Sequence, residues 1–417
     1  MWRVATTLAL VRERPERKND ALWAALTGLS VFLITYARDP TAWTTIWAED
    51  GKIFLAGAVN QGFGSFFHFF GGYLHTVPRI GALIAATLPL SWASVVITTY
   101  AVVISSVCGA TVEGLSGAYI EARWARVGLG LCFGFLPAIR VESIAEMANL
   151  QYLLIATSFW VLLVVPRSKA GRRLSIVFLS ATAASTILGI VLFPLAVIRL
   201  IDRRNRLAGA VFLAVQGLHG IIILIVRPTR DLGYVVPYSD VAQHFVTDVI
   251  AGQFFGGPFY SLDHETLTLW IINDVTIICI AALLGRWPRA ARRQLVVAVG
   301  AIVLSALTYL TEAKTQGTVA RYAVVPGFFV LFGVAIVADV ASRLRVVKPV
   351  AGVLVLGVVL SWAFSFSVPP YRYFGPHWST EYSQAQRACK GKEGVVEQIP
   401  VLPDGWGTMA LPCSVFH

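Results

Sequence analysis

The stretch IGALIAATLPLSWASVVITTYAVVISSVCGATV, residues 80–112, contains no charged side chain. A helix needs about 20 apolar residues to cross a membrane, and this stretch is longer than that. The same bias extends over the whole chain of 417 residues, which is 56% hydrophobic and 14% charged. Soluble proteins average about 25% charged residues. The composition therefore predicts an all-α polytopic membrane protein and excludes a disordered chain, a disulfide scaffold and a soluble nucleic-acid-binding protein.

The formal net charge of +11 comes mostly from short basic segments. Of the 34 lysines and arginines, 22 lie in six segments, at residues 3–18, 123–126, 167–173, 199–206, 286–293 and 343–348. Basic residues accumulate in the cytoplasmic loops of membrane proteins, so the charge predicts topology and gives no reason to expect a nucleic-acid partner. The apolar run 21–37 lacks a signal-peptide cleavage site, so residues 1–20 are predicted to be a cytoplasmic N-terminal tail.

With these six segments on one side, we predict about 11 membrane-spanning helices, in a range of about 10–13, within residues 21–367. The predicted spans lie near residues 21–37, 92–112, 125–139, 150–166, 174–187, 189–201, 207–226, 267–285, 294–311, 321–341 and 349–367. Residues 79–90 are predicted to form an interfacial or re-entrant helix. Gly189 and Pro194 predict two half-length helices that meet within the membrane, either beside a polar cavity or as a structural kink.

This topology leaves the longer loops and the C-terminus on the external side. The predicted external loops are residues 38–91, 140–149, 227–266 and 312–320, with interfacial helices in the first. Residues 368–417 are predicted to form a small external cap. Cys389 and Cys413 are the cysteines outside apolar runs, and an external location would permit a disulfide bond between them.

The first external loop holds the acid pair Glu49 and Asp50 in the motif WAEDG, residues 47–51. An aromatic and glycine-rich run follows, which is typical of a loop at the membrane interface. A solvated loop charge or a turn would also explain the acid pair. His75 and Arg79 in the same loop favour a functional site.

Two further groups of polar residues lie near predicted external ends of spans. Glu142, Glu146 and Asn149 are predicted to share one helical face, as a polar connector or as part of a site. Lys314, Arg321 and Tyr322 form the second group. Lysine and arginine accumulate mainly on the cytoplasmic side, so basic residues on the external side need another reason. Contact with lipid headgroups or phosphate would supply one. The chain has no Walker loop, HExxH, GxSxG or CxxC motif, so it gives no support for the chemistries that use them.

A cytoplasmic N-terminus, one span and a long external loop that opens with adjacent acids resemble the GT-C superfamily of membrane glycosyltransferases. The residues that carry the resemblance are the 47–51 motif, the 75–79 segment and the pair Arg321 and Tyr322. Residues 368–417 form a smaller C-terminal segment than many members have. The resemblance implies a GT-C-like fold in the inner membrane of a bacterial cell. It also implies an inverting transfer of sugar from a polyprenyl-phosphate donor to a glycan, lipid or protein acceptor of the cell envelope.

The resemblance also assigns roles to the candidate residues. Asp50 would be the general base, with Glu49 as its partner, and the two together are possible ligands of Mg²⁺ or Mn²⁺. The residues expected to bind donor phosphate or substrate are His75, Arg79, Lys314, Arg321, Tyr322, Glu142 and Asn149. Two alternatives stay open, namely a transporter or flippase of a lipid-linked saccharide and a non-catalytic subunit of envelope assembly. A transporter would be expected to carry charges within its spans.

Overall fold

A computed structural model describes residues 11–13, 19–137, 139, 143–202, 205–226, 236–255, 289–318, 320–343, 359, 362–363, 366, 372–392, 394–403 and 405–416. Within these ranges the protein is mostly helical. The helices are α1 (Asp20–Arg38), α2 (Ala56–Gln61), α3 (Thr76–Thr87), α4 (Ala93–Ser116), α5 (Arg123–Phe135), α6 (Leu150–Leu163), α7 (Lys169–Ser185), α8 (Phe193–Ile201), α9 (Arg206–Val226), α10 (Tyr238–His244), α11 (Gly252–Phe255), α12 (Arg289–Gln316), α13 (Val324–Ala341) and α14 (Trp378–Cys389). The strands are β1 (Arg12–Glu13), β2 (Val164–Val165), β3 (Val396–Pro400) and β4 (Thr408–Pro412).

Five helical segments in the described ranges are long and apolar enough to cross a membrane. They are Asp20–Arg38, Leu90–Ser116, Arg206–Ile225, Ala291–Thr315 and Arg321–Ala341. Shorter apolar helices lie at Thr76–Thr87, Leu150–Leu163 and Ile187–Ile201. The prediction of a mostly helical membrane protein is therefore confirmed at this coarse level.

The long helices carry apolar stripes that no part of the described protein covers. Leu22, Leu26, Leu29 and Leu33 of α1 are 43–56% exposed and recur at three- or four-residue intervals, which places them on one face. Comparable exposed stripes are Leu218, Ile221, Leu224 and Ile225 on α9, and Val296, Val299, Val303 and Leu307 on α12. Such faces suit lipid acyl chains, because a large apolar patch in water marks an interaction surface.

The centre of the bundle is packed closely enough to exclude side chains at some positions. A Cβ atom added at Gly109 of α4 would lie 2.6 Å from the carbonyl oxygen of Gly130 in α5. Small residues at such crossings let helix backbones approach each other in membrane proteins. All residues of α6 are buried. Helix α6 is therefore a central helix, and its N-terminus is a rigid place to hold polar groups.

The described parts of the basic segments predicted for the cytoplasm lie together at one end of this bundle. The contacts that join them are the pairing of β1 with β2, Arg123 with Asp20 (3.1 Å), Arg199 Nη2 with Val164 O (3.2 Å), Gln294 with Tyr119 O, and Arg343 with Glu121 (3.1 Å). The buried Asp339 accepts hydrogen bonds from the backbone N–H groups of Glu121 and Ala122 at the start of α5. This grouping is what the positive-inside prediction requires.

The C-terminal segment packs against the first long loop. Helix α14 and the antiparallel β3–β4 hairpin are joined by a disulfide bond between Cys389 and Cys413. The Leu402 N–H donates to Ile46 O at 3.2 Å, and its carbonyl accepts from the Ala48 N–H. Trp378 Nε1 donates to Leu90 O at 2.8 Å. These contacts form a small cap over the first loop.

The structure also tests the finer predictions about individual helices. The break predicted at Gly189 and Pro194 is present, because α7 ends at Ser185 and α8 begins at Phe193. The helical face predicted for Glu146 and Asn149 is wrong, since residues 143–149 form turns and bends. Glu142, the span predicted at 267–285 and most of the span at 349–367 lie outside the described residues.

Candidate functional site

Asp50 is buried at the point where the first loop meets the start of α6. It begins a π-helical turn, Asp50–Leu55, and its side chain is 2% exposed. Its Oδ2 accepts from the Met147 N–H and its Oδ1 from the Ala148 N–H, both at 2.8 Å. Met147 and Ala148 immediately precede α6, so the carboxylate also faces the positive end of that helix dipole. Two backbone donors thus fix both oxygens of the acid.

The backbone on both sides of this contact is in an uncommon conformation. Ala48 has φ of 31° and Ala145 has φ of 56°, and His75 in the same loop has φ of 53°. Residues other than glycine rarely adopt these left-handed angles, and they persist only where the surrounding structure enforces them. Strained positions of this kind cluster at functional sites. Ala48 and Ala145 each lie two residues before a partner in this contact, Asp50 and Met147.

Arg372, from the segment after the last predicted span, supplies the cation of the site. Its side chain is 2% exposed and forms ion pairs with Glu146 at 2.7 Å and Asp39 at 3.2 Å. It also donates to the Ile144 carbonyl at 3.1 Å and lies 4.8 Å from the Trp47 ring centre. Arginine suits such a position because its planar fork binds several acceptors at once.

The site contains more acidic side chains than the single positive charge of Arg372 can neutralise. Burial raises the pKa of Asp50 to about 7, and Glu49 adds to the rise. The two backbone hydrogen bonds and Arg372 act in the opposite direction. Burial also raises the pKa of Glu146 well above its usual range, although Arg372 opposes this. A carboxyl group that titrates near neutral pH can both accept and release a proton, which is the property required of a general base.

Glu49 and Asn149 complete the site. We call Asp39, Glu49, Asp50, Glu146 and Asn149 the acid cluster. Glu49 is half-buried and interacts electrostatically with both Asp50 and Glu146. The Asn149 side-chain amide donates to Glu146 at 2.7 Å. Among the described residues, Glu49 and Asp50 belong to no group of three His, Cys, Asp or Glu side chains whose ligand atoms all lie within 4.8 Å of one another. Since the Asp50 oxygens are already held by N–H groups, a divalent cation here would have few protein ligands, and the metal site stays a prediction.

His75 and Arg79 hold the aromatic part of the first loop in place. The His75 ring stacks on Tyr73 with 4.1 Å between centroids, and its Nε2 donates to the Phe70 carbonyl at 3.1 Å. Burial, with the charge of Arg79, lowers the pKa of His75 to about 3, so the ring is neutral at physiological pH. Arg79 donates to the carbonyls of Leu74 and His68. The guanidinium of Arg79 therefore has a structural role in this conformation.

A second group of polar residues lies beside the first turn of α6. Tyr152 interacts electrostatically with Glu312, Tyr322, Tyr73 and Arg321. The Arg321 guanidinium lies 5.2 Å from the Tyr322 ring centre. We call Tyr73, Tyr152, Glu312, Arg321 and Tyr322 the tyrosine cluster. Lys314 lies apart from it, because its ammonium donates to the Val236 carbonyl and lies 3.6 Å from the Tyr238 ring centre.

The N-terminal turn of α6 connects the two clusters. Asn149, the residue before α6, belongs to the acid cluster, and Tyr152, three residues later, belongs to the tyrosine cluster. The Tyr152 N–H donates to the Asn149 carbonyl at 3.1 Å. Sequence reasoning found Glu49, Asp50, Glu146 and Asn149 but missed Arg372 and Glu312. The signal for Arg372 was present, because it too is a basic residue on the predicted external side.

No protein-family model matches this chain, and no curated protein is significantly similar to it. A function for this protein therefore has to be argued from the site itself.

Proposed function

We propose that the protein is an inverting membrane glycosyltransferase of the GT-C type. It would transfer a sugar from a polyprenyl-phosphate donor to a cell-envelope glycan, lipid or protein acceptor on the external face of a bacterial inner membrane. The same proposal includes about 11 spans and a cytoplasmic N-terminus. The observation that carries it is the buried Asp50 carboxyl group in the first long loop, fixed by two backbone N–H groups, with a pKa raised to about 7.

The proposed reaction needs one base and one stabilised leaving group. The acceptor hydroxyl oxygen forms a bond to the anomeric carbon, and Asp50 takes the hydroxyl proton. The bond from that carbon to the donor oxygen breaks, and its electron pair leaves on the polyprenyl phosphate. Each oxygen of Asp50 accepts one hydrogen bond and keeps a second lone pair for the proton. Burial of the carboxyl group makes it a stronger base than it would be in water.

Other residues supply charge and position around Asp50. Arg372 holds Glu146 and Asp39 and limits the rise in the pKa of Asp50. Glu49, which is half-buried, would orient the acceptor or, with Asp50, help to hold a divalent cation. Arg321 at the tyrosine cluster is the cation proposed to contact donor phosphate, because the planar fork of arginine can bind two phosphate oxygens.

A transporter or flippase of a lipid-linked saccharide is the second candidate. Two fully buried acids, Glu113 and Glu312, lie within candidate spans, and buried ionisable groups in spans mark transport pathways. Each of them lies three residues from the end of its span, Leu90–Ser116 and Ala291–Thr315. Glu113 also forms an ion pair with Arg126 at 3.8 Å. These positions favour sites near the membrane surfaces over a continuous pathway through the bundle.

The Asp50→Asn variant tests the proposal. Purified protein would be incubated with radiolabelled polyprenyl-phosphate sugars and an envelope extract as acceptor. We expect the rate of sugar transfer to fall about 10²–10⁴-fold, which is the usual contribution of a general base. Asp20→Asn is the matched control, because Asp20 is also a buried aspartate, pairs with Arg123 and lies at the other end of the bundle.

Two results would contradict the proposal. Full sugar transfer by a folded Asp50→Asn variant would remove Asp50 as the base. Wild-type protein that moves the donor across a vesicle membrane without transferring its sugar would support the flippase instead. If Asp50→Asn does not fold, the pH dependence of wild-type transfer tests the same assignment.

A further inference from the structure

Glu312 is a buried acid with no role in the acid cluster. It lies near the end of α12 and is 0% exposed, and neither carboxyl oxygen has a hydrogen-bond partner within the described part of the chain. An unsatisfied buried polar group destabilises a protein, so such groups in native proteins call for an explanation. A ligand that donates hydrogen bonds would remove this destabilisation.

The surroundings of Glu312 are aromatic and hydroxyl-bearing. Tyr152 interacts electrostatically with Glu312 and also with Tyr322, Tyr73 and Arg321. Tyr152 is 3% exposed and Tyr322 is 7% exposed. The tyrosine cluster therefore combines flat apolar rings with phenolic hydroxyls and one carboxyl group in a protected place. Small-molecule sites have this composition, with mostly apolar walls and a few placed polar groups.

A second unsatisfied atom lies next to this cluster. His75 stacks on Tyr73 at 4.1 Å and is 3% exposed. Its Nε2 donates to the Phe70 carbonyl, so its Nδ1 carries the lone pair in the neutral ring. That Nδ1 has no hydrogen-bond partner among the residues that the structure describes. Tyr73, which stacks on His75, and Glu312 both act electrostatically on Tyr152.

We propose that the tyrosine cluster and His75 form the subsite for the sugar ring of the lipid-linked donor, an inference that rests on the proposed function. Sugar hydroxyls donate hydrogen bonds to Glu312 and to His75 Nδ1 and form one with the Tyr152 hydroxyl, and the C–H faces of the ring pack on the tyrosine rings. Arg321, at the edge of the cluster, contacts the phosphate. The two buried acceptors make a sugar the better occupant of the cluster itself, because sugar hydroxyls can donate hydrogen bonds whereas the oxygens of an ionised phosphate only accept them.

Binding measurements on full-length protein in detergent test this subsite. The probes are a ten-carbon prenyl phosphate and the same phosphate carrying glucose, mannose, galactose or arabinose. We expect wild-type protein to bind at least one glycosylated probe more tightly than the bare phosphate. Glu312→Gln and Tyr152→Phe should each reduce this sugar-dependent gain about tenfold, since each alters one buried hydrogen-bonding group. Neither should change the affinity for the bare phosphate.

Tyr119→Phe is the matched control, because Tyr119 is a buried tyrosine at the opposite end of the bundle. It should bind every probe as the wild type does. Equal sugar-dependent gains in wild type and in both variants would overturn the subsite and leave the glycosyltransferase proposal standing. No gain from any of the sugars in wild-type protein would overturn both.

Discussion

Replacing Arg372 with methionine tests whether the acid cluster depends on one buried cation. The Arg372 side chain is 2% exposed and pairs with Asp39 at 3.2 Å and with Glu146 at 2.7 Å. Methionine keeps much of the apolar length of arginine but leaves both acids without their cation. Removal of one partner from a buried ion pair costs about 3–5 kcal/mol, because the remaining charge stays buried. We expect Arg372→Met to lower the free energy of unfolding by an amount in this range.

The assay is denaturant unfolding of the full-length protein in detergent, followed by tryptophan fluorescence. Trp47 is a direct reporter, because its ring centre lies 4.8 Å from the Arg372 guanidinium. Arg167→Met is the control, since the Arg167 side chain is 51% exposed and pairs with Glu13 at 3.8 Å. Exposed pairs contribute about 0–1 kcal/mol.

A second variant separates lost charge balance from lost packing. Adding Glu146→Gln to Arg372→Met removes one of the two unbalanced acids and should recover part of the lost stability. The reasoning is refuted if Arg372→Met is as stable as the Arg167→Met control. It is also refuted if Glu146→Gln makes the Arg372→Met variant less stable, because unbalanced charge would then not be the cause.

Two further predictions concern pH and the cap. Asp50 must be ionised to accept a proton and its pKa is raised to about 7, so the rate of sugar transfer should rise with pH through that value. Since Arg372 lowers the pKa of Asp50, Arg372→Met should move this rise to higher pH, and a rate independent of pH across neutrality would argue against Asp50. Replacement of both Cys389 and Cys413 by serine removes a crosslink with a sequence separation of 24 and should destabilise the cap by about 3 kcal/mol. Faster protease cleavage within residues 390–412 would measure that loss, whereas unchanged cleavage would mean that packing alone holds the cap.

Sequence reasoning located the acid cluster through its local motif but could not explain how it is held. The WAEDG motif drew attention to Glu49 and Asp50, and the polar stretch before α6 drew attention to Glu146 and Asn149. The prediction for that stretch assumed a continuous helix, whereas Ala145 has φ of 56° and residues 143–149 turn. That turn directs the Met147 and Ala148 N–H groups at Asp50. Periodicity cannot report such a turn, because an amphipathic pattern looks the same in both cases.

The amino-acid sequence alone determined the class of the protein, a mostly helical membrane protein. Each span is specified by its own apolar run and flanking basic residues, so it can be recognised without knowing any tertiary contact. The sequence also predicted which loops hold the candidate polar residues. Only the tertiary structure decided which polar groups meet. Asp50 bonds to a backbone group 97 residues away, and Arg372 pairs with an acid 226 residues away. Contacts at these separations depend on how helices pack and where the C-terminal cap docks, and no local pattern in the chain encodes them.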